Sequence, residues 1–344
     1  MFSKGVGHAS PPLASPSLLS WGIARYETLR EHPIEIQLAN PTRDLEDRLA
    51  PRRAAEARHH KGPTAHGDAD LLLRADRALG PLLKLALKAT GLYGRGIRNA
   101  LQLRVRHLRF AFPNLPPPLH GFRILHLSDL HIDGVRGLTR ALCDCVREIP
   151  VDLCVLTGDY RFEVHGSCDG VYPHIEKLMR AVRSRSGVLG ILGNHDEADM
   201  AIAFEQLGVK MLINESTEVE PGLWVTGVDD AHYYGCDDLS ESLDSVPPEA
   251  FKLLLAHTPE LYAEADRADI DLYLCGHTHA GQICLPRLGA PFLNASCPRT
   301  FARGRWHHGR TQGFTTAGAG CSLLPVRYNC PPEVAVIELA AAAD

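Results

Sequence analysis

FRILHLSDLH, residues 122–131, decides the fold. Residues 122–127 are dominated by large apolar side chains, with no solvent-facing alternation, so they suit a strand covered on both faces inside a layered α/β domain. The run ends in Ser128-Asp129-Leu130-His131. Residues i and i+2 leaving a strand point the same way, so the Asp129 carboxylate and the His131 imidazole can share one cation.

Four further segments repeat this design downstream. Apolar runs over 153–157, 188–192, 251–256 and 272–275 lead into Thr157-Gly158-Asp159, Gly193-Asn194-His195-Asp196, Ala256-His257 and Gly276-His277-Thr278-His279. Gly158 permits the tight turn that presents Asp159. Helical patterns are expected over 137–148, 171–185, 198–207 and 259–266, with more strands over 223–228, 313–317 and 334–339. Strands alternating with helices give an α/β fold, and such folds build their sites at the carboxyl ends of the strands. A lone Asp-x-His is usually a capped turn. Five ligand-type segments in this order, each after an apolar run, are not a chance arrangement.

The residue types fit one chemistry. Two divalent ions about 3.5–4 Å apart need a bridging carboxylate plus nitrogen and oxygen ligands of intermediate hardness. Such a pair binds phosphate oxygens, acidifies a water and offsets charge in the transition state of phosphoryl transfer. Mn²⁺ heads the expectation, with Fe, Zn²⁺ and Co²⁺ compatible with the same donors. No cysteine enters these motifs as a ligand, although Cys275 directly precedes Gly276.

The five segments resemble the calcineurin-like metallophosphoesterases, whose D-x-H, GD, GNH(D/E), H and GHxH pattern is matched between Asp129 and His279. The resemblance implies an α/β sandwich of two mixed sheets flanked by helices. It implies that Asp129, His131 and His279 hold one ion and that Asn194, His257 and His277 hold the other, with Asp159 bridging. His195 would protonate the leaving oxygen or steady the transition state, and Asp196 would orient it. The protein Ser/Thr phosphatase pattern GDxVDRG is missing, and Phe162 stands where purple acid phosphatases carry a ligand tyrosine. HLSDLH (126–131), Gly227-Val228-Asp229-Asp230, GHTHAGQ (276–282) and a C-terminal set from Gly318-Ala319-Gly320 through Pro325, Arg327 and Pro331-Pro332-Glu333 are similar to a bacterial membrane-associated branch of phosphodiesterases. Some members of that branch resemble UDP-2,3-diacylglucosamine pyrophosphatases. The resemblance covers about residues 101–340. It implies hydrolysis of a phosphodiester or pyrophosphate bond in a lipid-linked or nucleotide-sugar substrate. A nuclease or cyclic-nucleotide phosphodiesterase is the alternative on the same site, and a metal-free scaffold is a third reading that seven intact ligand positions oppose.

The rest of the chain sets the context. Residues 1–68 lack sustained periodicity and are read as a low-order extension, with a short helix over 21–31 and a polar linker over 52–66. Residues 69–118 form a second segment: a leucine-rich helix over 70–88, a strand over 101–112, and a proline-rich connector. The metallophosphoesterase-like domain takes 119–344. Between Asp76 and Asp129 there is no acidic residue but nine Lys or Arg. The basic, leucine-rich segment over 71–109 can lie on an anionic membrane surface, each cation adding about 1 kcal/mol; a packed helix with a solvated basic face is the plainer account.

Ten scattered cysteines with no CxxC pair suit free thiols in a reducing compartment. No eighteen-residue apolar run and no signal-peptide core stand out, so a cytoplasmic location is expected, or a peripheral one at the inner membrane surface. A net charge of −5 gives no strong nucleic-acid signal. Among other residues, His126 reads as a packed core histidine and Asp229-Asp230 as turn-formers. Arg327 reads equally as a phosphate ligand or a loop-fixing residue, residues 299–310 as a basic loop, and Tyr160 with Arg161 as pocket lining.

Overall fold

The computed structural model describes residues 41–59 and 80–342. The strands are β1 (Arg104–Phe112), β2 (Arg123–Leu127), β3 (Pro150–Val151), β4 (Leu153–Thr157), β5 (Arg183–Ser184), β6 (Val188–Ile191), β7 (Lys210–Met211), β8 (Glu215–Glu220), β9 (Leu223–Gly227), β10 (Phe251–Leu255), β11 (Leu272–Cys275), β12 (Gly304–His308), β13 (Thr311–Thr315) and β14 (Glu333–Ala341). They build two six-stranded mixed sheets, ordered β1-β14-β2-β4-β6-β7 and β12-β13-β11-β10-β9-β8. A small parallel pair, β3-β5, stands beside them.

The expected α/β sandwich is what forms. Side chains alternate strictly along the central strands, as a pleat requires. Ile124, Leu153, Val155, Leu253, Leu255, Leu272 and Leu274 meet between the sheets. Their neighbours Leu125, Cys154 and Leu156 turn to the other face, against Leu138, Leu142, Ile175, Leu178 and Phe204 of the covering helices. Leu254, Tyr273 and Cys275 do the same on the second sheet, against Leu261 and Ala265. Strands buried on both faces therefore read as unbroken apolar runs.

β2, β4 and β6 run parallel, and so do β10 and β11. Their carboxyl ends lie at the same edge of the sandwich. The His257 ring, after β10, reaches the Thr157 carbonyl at the end of β4 across 2.7 Å.

Three features depart from the sequence reading. Within the segment read as a low-order extension and polar linker, Pro41–His59 is a helix, and Leu49, Arg52 and Ala55 on it are fully buried. The expected helix over 21–31 lies outside the described residues. β1, read as part of a separate segment, is an edge strand of the first sheet, paired in parallel with β14. The presumed basic loop after residue 299 contains β12, antiparallel to β13. Its Arg305 guanidinium lies 4.2 Å from the Phe110 ring centroid. All ten cysteines are free thiols. Among the described residues, no helix is long and apolar enough to cross a membrane.

Candidate metal centre

All the predicted ligands converge where the two sheets meet. Asp129, His131, Asp159 and His279 can each offer a donor atom within 4.8 Å of the others, and Asp159, His257 and His277 form a second such group. Asp159 belongs to both, as a bridging carboxylate must. Its Oδ2 faces His131 Nε2 at 3.6 Å and its Oδ1 faces His257 Nε2 at 3.3 Å.

Hydrogen bonds fix which ring nitrogens are free. A carbonyl oxygen only accepts, so His131 Nδ1–H must donate to Arg161 O (2.6 Å) and His257 Nδ1–H to Thr157 O (2.7 Å). Each ring thereby turns an Nε2 lone pair inward, the usual arrangement behind a metal-bound histidine. His257 Nε2 also lies 3.1 Å from Asn194 Oδ1 and 3.2 Å from His277 Nδ1. His131 Nε2 and His279 Nε2 face each other at 3.1 Å. So many acceptors close together in a buried site call for positive charge at their centre.

The electrostatics say the same. Burial lowers His257, yet Asp159 and then Asp129 lift it to about 10: with no cation, a proton takes that place. Burial and neighbouring imidazoles hold His131 down to about 3 and push His277 and His279 well below the ordinary range. These rings are neutral, as ligands must be. Burial raises Asp129 to about 6, with Asp159 adding to the rise, whereas His257 and His195 hold Asp159 well below its usual value despite its burial. The residues present fit a divalent cation of N/O preference.

Five of the seven candidate ligands, Asp129, His131, Asp159, His277 and His279, have positive φ, between 35° and 68°. Non-glycine residues pay about 1–3 kcal/mol each for such backbone, and it concentrates at functional sites. Close glycines make room for it. A Cβ on Gly276 would strike Asp129 Oδ2 and Ser128 Oγ. Gly276→Ala is therefore expected to displace the Asp129 carboxylate and to weaken metal binding about 10–100-fold, a loss that calorimetric Mn²⁺ titration of the folded variant would reveal.

Other site residues sort themselves by contact. His195 Nδ1 donates to Phe162 O at 2.8 Å, and its Nε2 lies 3.9 Å from Asp159 Oδ2, with part of the ring open to solvent. Asp196 does not touch that ring, contrary to its expected role. Its carboxylate accepts the Asp159, Tyr160 and Gly193 backbone N–H groups at 2.7–2.8 Å, pinning two ligand loops together. The Phe162 carbonyl orients His195 instead. Tyr160 and Arg161 do not line the pocket. Tyr160 is fully buried on Phe204 and donates to Ile191 O, while Arg161 ties Gly166 O, His195 O and Glu197 into one loop.

Arg327 is fully buried and donates to Ala317, Gly318 and Gly320 carbonyls, which settles it as the loop-fixing residue. His126 sits in the core beside Phe314, with burial lowering it to about 3. Asp230 accepts three turn N–H groups, and Asp229 pairs with Arg52 at 2.6 Å. Arg52 went unseen in the sequence. It also donates to Gly193 O and Asp196 O, on either side of Asn194-His195, at 2.7 and 2.6 Å.

Comparison with known proteins agrees with this geometry. The family described as calcineurin-like phosphoesterase matches residues 122–281. The chain is 30% identical to the phosphodiesterase YaeI of Escherichia coli (strain K12), over 68% of this chain and 87% of that one. It is 30% identical to a transmembrane protein with metallophosphoesterase domain of Bos taurus, over 79% and 67%. With the uncharacterized metallophosphoesterase YkuE of Bacillus subtilis (strain 168) it shares 27% identity over 65% and 81%. The chain belongs to the calcineurin-like phosphoesterase family and is a metal-dependent phosphoesterase.

Proposed function

We propose that this chain hydrolyses a phosphodiester or pyrophosphate bond with two divalent ions, Mn²⁺ foremost. Asp129, His131 and His279 would hold one, Asn194, His257 and His277 the other, and Asp159 would serve both. The observation that carries this reading is the pair of donor groups sharing Asp159. When bound, the ions would polarise the phosphoryl group and supply the nucleophilic water. His195 is placed to give a proton to the leaving oxygen. Its Nδ1–H is held by the Phe162 carbonyl, which directs Nε2 at the donor cluster. Asp196 acts one step back, holding the loops of Asp159 and Gly193 in register.

The missing protein-phosphatase and purple-phosphatase signatures support a diester or pyrophosphate over a phosphoprotein, and the printed name of the Escherichia coli relative points the same way. Within that class, the resemblance of HLSDLH, GHTHAGQ and the C-terminal Gly318–Glu333 stretch supports a lipid-linked or nucleotide-sugar substrate of the UDP-2,3-diacylglucosamine type. Purified chain with Mn²⁺ should cleave bis-p-nitrophenyl phosphate, and a side-by-side panel of UDP-diacylglucosamine, cyclic AMP and single-stranded DNA should favour the first. Absence of bound metal together with absence of turnover would overturn the reading. His195→Ala is expected to lower kcat about 10²–10⁴-fold on an alkyl diester while metal content stays at the parent level. Full activity of that variant on a poor leaving group would remove the proton-donor role.

A further inference from the structure

One face of the molecule is apolar and built from segments without acidic residues, and it borders the metal centre. The helix over 80–89 exposes Leu82 (65%) and Leu85 (64%), and the turn over 285–292, linked to it through residues 323–328, exposes Leu288 (80%) and Phe292 (83%). These are large apolar side chains that folding did not cover. They belong together. Gly80 packs against Leu323, itself exposed, and Tyr328 donates to the Leu92 carbonyl. The Tyr328 carbonyl in turn accepts Cys284 N–H at the foot of the turn. The turn reaches the site: Phe292 O lies against Gly281, and Asn294 Nδ2 is 3.3 Å from His277 Nε2.

The segments that build this patch carry charge of one sign. Two stretches, 77–128 and 272–332, contain no Asp or Glu, although the whole chain carries −5. Both contribute to this face. At about 100° per residue, Leu82, Leu83, Leu85, Ala86 and Ala89 fill one broad arc of the 80–89 helix. Lys84 and Lys88 share the opposite side, over the Tyr93 ring at 6.0 and 5.6 Å. Lysines opposite an apolar arc keep their charge on the headgroup and water side while the arc is buried.

We propose that this face docks on an anionic lipid bilayer, with Leu82, Leu85, Leu288 and Phe292 entering the acyl boundary and the surrounding Lys and Arg meeting lipid phosphates. A second copy fits less well, because a self-complementary contact would press two all-basic surfaces together. Docking brings the mouth of the metal centre to the bilayer surface, where a lipid-linked phosphoester is presented. That consequence, though not the docking, rests on the function proposed above.

The test uses the full chain and vesicles of phosphatidylcholine alone or mixed with phosphatidylglycerol. Sedimentation with the mixed vesicles is expected, weakening as salt is raised and much lower on phosphatidylcholine alone. Leu288→Ser/Phe292→Ser and Leu82→Glu/Leu85→Glu should each lower vesicle affinity at least about tenfold, since each side chain withdraws apolar surface worth more than that factor. Both should keep the parent's turnover of bis-p-nitrophenyl phosphate, which shows them folded and separates a failure of docking from a failure of the catalytic reading. No binding to either vesicle, binding unaltered in both variants, or a concentration-dependent dimer that the substitutions abolish would each overturn the proposal.

Discussion

Asp159→Asn should strip the centre of metal and of activity together. The substitution keeps the shape and removes one charge from the only carboxylate that both donor groups share. In the parent, His257 and His195 hold Asp159 well below the ordinary carboxylate range, so it is fully ionised at neutral pH. An amide offers one neutral oxygen in place of two charged ones, and its NH₂ would confront the His131 or the His257 lone pair, 3.6 and 3.3 Å away. It would also lose a strong acceptor for the His195 N–H, now 2.9 Å from Oδ1. Loss of several kcal/mol of charge stabilisation corresponds to at least about 10³-fold in kcat/KM. Elemental analysis after gel filtration should find less than one equivalent of metal, with a far-ultraviolet spectrum like the parent's. A variant retaining its metals and working within tenfold of the parent would remove Asp159 from the bridging position. Comparison with His195→Ala, expected to lose turnover and keep metal, separates holding the ions from moving the proton.

The fold and the centre were legible to different depths. Strands buried on both faces announce themselves as apolar runs, and a ligand at the end of such a strand needs no long-range information, so residues 129–279 could be read in order. Edge strands carry no such signal. β8, Glu-Ser-Thr-Glu-Val-Glu, is part-exposed or exposed throughout, and β12 includes Arg305, His307 and His308; each is a strand because a neighbour pairs with it. Side-chain destinations were harder still. Asp196 follows His195 directly, yet its oxygens turn to the backbone N–H groups of Asp159 and Tyr160 in another loop. Tyr160 and Arg161 follow Asp159 and are directed into the protein. Adjacency in sequence told nothing about these contacts, because their partners lie on other loops, 34–37 residues away for Asp196 and Arg161. The apolar rim was half visible: the basic leucine-rich segment could be read, but its packing on Leu323 and Tyr328, the latter bonded to Cys284 at the foot of the 285–292 turn, depends on tertiary structure. Arg52 left no trace at all, since its main partner is 177 residues away.

Arg52→Ala is expected to destabilise the chain by about 3–5 kcal/mol and to loosen the metal centre without touching a ligand. The guanidinium is fully buried. It is held charged by Asp229 and Asp230 in spite of that burial, and it stacks 3.7 Å from the Tyr234 ring centroid. Its fork spends one nitrogen on Asp229 and another on the Gly193 and Asp196 carbonyls, while Nε meets Glu56 at 3.2 Å. Glu56 in turn accepts Ala198 N–H at 2.8 Å. The helix Pro41–His59, outside the span shared with the family, therefore grips the loop that carries Asn194 and His195. Truncation leaves Asp229 as a buried charge without its partner, the condition that makes half-broken ion pairs costly. For a chain of this size that cost lowers Tm by on the order of 10 °C. Well below the new Tm, Mn²⁺ affinity should fall about 10–100-fold, because two carbonyls flanking Asn194 lose their donors. Arg52→Lys discriminates positioning from stability alone: a point charge can keep Asp229 company but cannot fork to both carbonyls. It should recover part of the Tm and little of the metal affinity. Parent-like Tm and Mn²⁺ affinity in Arg52→Ala would show that the catalytic loop stands without the helix.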